Sequence, residues 1–121
     1  MSRAAETTGA AKRIEAEVTS WPGVEAGPHR FGGLEFRYGR RELGHLHGDR
    51  FADIPAGTRL KEKLIAAGRA RPHHVLPDSG WVTVPTEDAG GEATAIELLR
   101  TGYGRAVAQE RKRNAREAAA E

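Results

Sequence analysis

The stretch LEFRYGRRELGHLHGDRFADI, residues 34–54, decides the fold class. Leu34, Phe36 and Tyr38 alternate with Glu35 and Arg37, the period of a half-buried strand. Gly39 breaks the run. Arg41–His47 reads as the next strand, Gly48-Asp49 as a turn, and residues 51–54 as a short edge strand ending at Pro55. Strands this close in sequence pair as antiparallel hairpins. Upstream, residues 24–30 are expected as a first strand, with Gly32-Gly33 making the tight turn into Leu34.

Helical spacing takes over on both sides of this block. Ile14, Val18 and Trp21 fall at i, i+4 and i+7, an amphipathic stripe that Pro22-Gly23 stops. Beyond the hairpins Leu60, Leu64 and Ala67 share a helix face, with Thr58 as N-cap and Gly68 as the stop. GWVTVP, residues 80–85, is a further strand. Ile96, Leu99, Tyr103 and Val107 then mark a long C-terminal helix. The order predicts a single α+β domain, a mainly antiparallel sheet of four or five strands with helices packed on one face. Residues 1–10 are expected as a flexible N-terminus, 11–108 as the domain, and 109–121 as an exposed helix end or tail.

The length, 121 residues and 13.1 kDa, suits one domain. Ala accounts for 20 residues, whereas Leu, Ile, Val and Phe together number 21, so the core is small. With no Cys, disulfides, cysteine metal sites and thiol catalysis are excluded. No apolar run approaches the roughly 20 residues that span a bilayer. MSRAAETTGAAKRIE has charges where a signal peptide needs an apolar stretch, so a cytoplasmic protein without a membrane partner is expected. The net charge of +2 conceals ten basic and five acidic groups in residues 29–71 against one and five in 72–104. These segments read as two solvated faces. Arg111-Lys112-Arg113, diluted by Glu110 and Glu117, reads as a helix end, so nucleic acid is not expected as a partner.

Chemistry concentrates in the histidines His29, His45, His47, His73 and His74. Residues two apart on a strand point to one side, roughly 6.6 Å apart. His45 and His47 therefore project together, with Leu43 on the same side. His73-His74 lies between a helix and a strand, where one ring can turn toward the same place and Asp49 offers a nearby carboxylate. Such a group can hold a divalent metal, move protons near neutral pH, or form a structural hydrogen-bonded pair. A metal, if present, would take His45, His47 and His74; no organic cofactor motif is present. Glu42 falls on the opposite face by strict alternation unless a β-bulge brings it round. The spacing Gly39-x5-His45-x-His47 resembles the first half of the cupin metal motif, but the Glu that should follow is missing. Ser79 reads as a turn residue and Trp81 as core before ligand platform, while Tyr38 has a hydroxyl to offer a pocket.

Arg41-Glu42-Leu43-Gly44-His45-Leu46-His47 resembles the luciferase-domain family of short bacterial proteins related to the fungal luciferases. The fungal enzymes carry a similar Arg-Glu-x-x-His-x-His segment. A helix ending in Gly, a short His-containing segment, a Trp-led strand and a helix with an aromatic follow it there. The matching pieces here are residues 61–68, Pro72-His73-His74-Val75-Leu76, Trp81 and Tyr103, and the likeness spans about residues 20–105. The resemblance implies a small-molecule ligand and an oxygen-using reaction without organic cofactor, since the fungal enzymes oxidise a hydroxylated pyrone. It implies His45 and His47 as the centre, helped by Glu42 and by His73 or His74, with Arg41 stabilising a substrate anion; with His74 taken as the catalytic member of its pair, His73, Trp81 and Tyr38 are left as substrate-binding candidates. The alternative is a non-catalytic binding or interaction module with structural histidines, and a metal-dependent enzyme is a third reading. A second likeness, to the small YjbR-like α+β proteins, bears on fold alone.

Overall fold

Successive hairpins build most of the sheet. In a computed structural model describing residues 9–30 and 32–120, helix α1 (Ala10–Val18) precedes strands β1 (Val24–Pro28), β2 (Leu34–Tyr38), β3 (Arg41–His47) and β4 (Phe51–Pro55). Helix α2 (Thr58–Ala66), the two-residue strand β5 (Arg71–Pro72), strand β6 (Trp81–Pro85) and helix α3 (Ala89–Ala120) complete the chain. Of residues 1–10, expected as a flexible N-terminus, residues 1–8 lie outside the described residues, and Ala10 instead opens α1 and is buried.

The sheet order is β1-β2-β3-β4-β6-β5, antiparallel at every pairing. The α+β architecture is as the hydrophobic periods indicate, with two corrections. Six strands form, because Arg71 and Pro72 pair with Thr83 and Val82. Residues 51–54 are not an edge: β4 lies between β3 and β6, with Phe51 opposite Pro85 and Ile54 opposite Val82. Pro55 is compatible with this place because it is the last residue of the strand, where a missing donor costs least.

One face of the sheet carries the core. Phe36, Leu43, Leu46, Ala52, Ile54, Val82 and Val84 meet Ile14 and Val18 of α1 and Ala95, Leu98, Leu99 and Tyr103 of α3, all buried. The buried stripe of α3 is offset from the expected one, leaving Ile96 and Val107 only partly covered. Gly44 permits a close approach between sheet and helix: a Cβ there would lie 2.9 Å from Leu99 Cδ2 and 3.0 Å from the Asp53 carbonyl oxygen. Trp21 packs on Tyr103 with ring centroids 5.5 Å apart, just past the end of α1.

The helix ends differ from expectation. Gly57, not Thr58, is the N-cap of α2, and no side chain caps it. Its C-terminus is closed by Gly68 at φ 73°, with Gly68 N–H donating to Ile65 O (3.0 Å) and Arg69 N–H to Leu64 O (2.9 Å). Helix α1 is capped from a distance, since Asp49 Oδ1 accepts the Ala11 N–H at 2.8 Å. This places Asp49 at the helix-covered side and not beside the histidines. No described helix is long and apolar enough to cross a membrane.

Candidate metal- and ligand-binding site

The other face of the sheet holds the polar cluster, and a bulge in β3 sets its geometry. Gly44 pairs with Phe36, but Glu42 pairs with Arg37, so Leu43 is the extra residue. Leu43 turns into the core at 1% exposure, which corrects the expectation that it shares a side with His45. The same extra residue swings Glu42 onto the histidine face, and Glu42 Oε2 lies 2.7 Å from His45 Nδ1.

Asp53 is the centre of the cluster. It stands opposite His45 in the β3–β4 register and has no exposed surface. Its Oδ1 accepts the Thr83 hydroxyl proton at 2.7 Å. Its Oδ2 has four imidazole Nε2 atoms around it: His74 at 2.8 Å, His47 at 2.9 Å, His45 at 3.3 Å and His73 at 3.5 Å. Both members of the His73-His74 pair thus turn inward.

The segment bearing that pair is tied down. His73 Nδ1 accepts the N–H groups of Val75 (3.1 Å) and Leu76 (3.0 Å). Ser79 N–H and its hydroxyl both donate to Leu76 O, at 3.1 Å and 2.7 Å. Lys61 of α2 donates to Pro77 O (2.5 Å) and Ser79 O (2.6 Å). Around the cluster His29, just after β1, stacks on His45 with centroids 3.9 Å apart. Trp81 forms a wall 5.8 Å from the His45 ring and 6.0 Å from the His73 ring.

The electrostatics follow from these contacts. Burial alone pulls the His45 pKa down, but hydrogen bonds to Asp53 and Glu42 and their negative charges outweigh it, raising the value from 6.5 to about 9. Burial pushes the Asp53 carboxyl up, yet hydrogen bonds from His45, Thr83 and His74 hold it below the usual carboxylate range. His73 is lowered, chiefly by burial.

Two expected substrate contacts lie elsewhere. The Tyr38 hydroxyl donates to Glu110, and Arg41 donates to Gln109, both on α3. They face the helix side because the register of β2 and the bulge in β3 direct them there, and with Arg113 they line a separate cleft. His45, His47, His73, His74, Glu42 and Trp81 do converge, lining a cavity of about 490 Å³. Sequence reasoning missed Asp53, Thr83 and the placing of His29. The signal for Asp53 was present: a turn centred on Asp49 pairs His47 with Phe51 and hence His45 with Asp53.

The His/Asp/Glu groups His29-Glu42-His45, His45-His47-Asp53 and Asp53-His73-His74 each have ligand atoms within 4.8 Å of one another, close enough to coordinate a metal. The sequence profile of the luciferase domain matches residues 40–102, just over half of the chain. The chain belongs to the luciferase-domain family. Its luciferase-domain segment contains Asp53, Glu42 and every histidine except His29. No curated protein and no solved structure matches the chain.

Proposed function

We propose that this luciferase-domain protein is a binding module whose sheet face holds one divalent cation on His45, His47, His74 and Asp53. The observation that carries the reading is the convergence of four Nε2 atoms within 3.5 Å of one Asp53 oxygen. A carboxylate oxygen has two lone pairs, so four nitrogens at one point exceed what hydrogen bonding can use. Tautomers sort the four. His73 uses its Nδ1 lone pair on two backbone N–H groups, so its neutral ring carries the proton on Nε2, 3.5 Å from Asp53 Oδ2, and has no lone pair left for a metal. His45 gives its Nδ1 proton to Glu42, which frees Nε2 for a metal and fixes the ring, as second carboxylates do for ligating histidines. Three imidazoles and a carboxylate suit borderline ions of the zinc, nickel and iron(II) type.

Elemental analysis of untagged protein tests this, wild type beside His45→Ala/His47→Ala. Near-stoichiometric metal in the wild type, absent from the variant, is the expected result, together with a raised Tm on adding zinc, nickel or iron(II). No metal in either protein and no thermal shift would leave the histidines structural.

Family resemblance adds a second reading at the same cluster, oxygen-dependent turnover of a hydroxylated ring. The Glu42–His45 contact of 2.7 Å supports it, as a base pair able to take a substrate proton at the cavity floor. Ligand-dependent oxygen consumption that Glu42→Gln abolishes is its test, and its absence across hydroxylated aromatic and pyrone ligands counts against it.

A further inference from the structure

We infer that the cleft between the β2–β3 turn and helix α3 is a second binding site, one that takes the phosphate dianion of an organic monoester on Arg40, Arg41 and Arg113. It is separate from the histidine face and does not depend on the metal reading. One wall is the hairpin turn, where Tyr38 pairs with Arg41 around Gly39-Arg40; the other is the stretch of α3 that carries Gln109, Glu110 and Arg113. Three arginines thus reach one cleft of about 470 Å³, within the size range of small-molecule sites. Like charges gathered from two elements resist the docking of helix on sheet, so folding gains nothing from bringing them together.

The charges are available as well as close. Among the described residues Arg40 and Arg113 have no carboxylate partner, whereas Arg13, Arg37 and Arg69 are each paired with a glutamate. Arg41 donates to the neutral amide oxygen of Gln109, which orients its guanidinium and leaves its charge uncompensated. The one acidic residue lining the cleft, Glu110, already accepts the Tyr38 hydroxyl proton. Three guanidinium charges against one carboxylate leave two positive charges. A phosphate monoester, close to dianionic above its second pKa of about 6, cancels them. The planar guanidinium fork also matches phosphate oxygens in geometry. The walls are set beforehand: Arg37 donates to Arg40 O at 3.2 Å, holding the turn, and the Tyr38 ring meets Tyr103 edge-on with centroids 5.6 Å apart. Tyr38 and the buried Ala106 give the cleft an apolar side for the organic part of the ester.

The test is calorimetric titration of phenyl phosphate, phenyl sulfate and inorganic phosphate into full-length protein, as purified and after chelation, at low salt and about pH 7.5, where the phosphates are close to dianionic. Phenyl phosphate is expected to bind at one site per chain, about tenfold tighter than the monoanionic sulfate. It should also bind several-fold tighter than inorganic phosphate, through partial burial of its ring. Arg40→Gln/Arg113→Gln should weaken it about tenfold or more with Tm unchanged. Arg59→Gln/Lys63→Gln, an equal loss of charge on α2, should change it by less than about twofold. Absence of saturable heat, equal affinity for phosphate ester and sulfate, or equal loss in the two double variants would each overturn the proposal. Inorganic phosphate binding as tightly as phenyl phosphate would refute the assignment of an organic body to the apolar side. Binding that chelation removes would place the anion at the histidine face and overturn the site in the cleft. Binding of a duplex DNA oligonucleotide, weakened equally by both double variants, would make these arginines part of a broad nucleic-acid face and overturn it too.

Discussion

His45 is held between two carboxylates, Glu42 at 2.7 Å and Asp53 at 3.3 Å, with His29 stacked on its ring and His47 and Trp81 at its edges. Folding favours its protonated form, since its pKa rises from 6.5 to about 9. The stability this contributes is complete below about pH 6.5 and is lost as pH climbs through about 9. Asp53 acts in the opposite sense: its depressed pKa supports the fold above about pH 4 and ceases to do so on acidification. For chelator-treated protein, the urea midpoint is expected to fall between pH 7 and pH 9.5, by a stability change on the order of 3 kcal/mol. His45→Gln should flatten that limb, and an unchanged slope in the variant would place the alkaline sensitivity elsewhere. At this scale the site was half legible. Histidines two apart announce a shared face, whereas the position of Glu42 depends on an inserted residue that alternation cannot reveal. Tyr38 and Arg41 look like pocket residues by type, yet the register of β2 and β3 turns them toward α3.

Between helix α2 and strand β6, the chain from His73 to Gly80 supplies one proposed metal ligand and is anchored by the hydrogen bonds described above. Lys61 makes two of them, to carbonyl oxygens that would otherwise need water. Lys61→Met is expected to cost about 1 kcal/mol of local stability. Amides 75–80 should exchange faster with solvent while those of β3 and β4 remain protected, and metal affinity should drop several-fold because His74 is less well positioned. Unaltered exchange across 75–80 would show that the lysine does not anchor the segment. Element boundaries were readable wherever Gly or Pro interrupts a clear period, as at Gly39, Gly48 and Gly68. Strand neighbours were less so: β4 is central only because β6 returns beside it after α2 and β5, a contact nothing local to residues 51–55 encodes. Gly57 displaced Thr58 as the cap because the chain enters α2 at φ 85°, a conformation costly for a residue with a Cβ.

Across the whole molecule the sheet divides labour between its faces. One buries the apolar residues under α1 and α3, and the other carries the titratable groups. The far end of α3 belongs to neither. Glu110, which accepts from Tyr38, is followed by residues 111–120 that are all exposed. Truncation after Glu110 is therefore expected to leave Tm within about 2 °C of the full chain and metal uptake unchanged, because exposed positions away from caps and cores contribute little. A loss of more than 1 kcal/mol would reveal a stabilising role for the basic end.

The cap that Asp49 lends to α1 has a consequence in time. A ribosome delivers Ala10–Val18 well before residue 49, so the first helix emerges without its acceptor and with its apolar stripe uncovered. It gains both only once the β3–β4 turn has closed. A pause in translation before that turn is made would leave this segment waiting, and open to chaperones, for as long as the pause lasts.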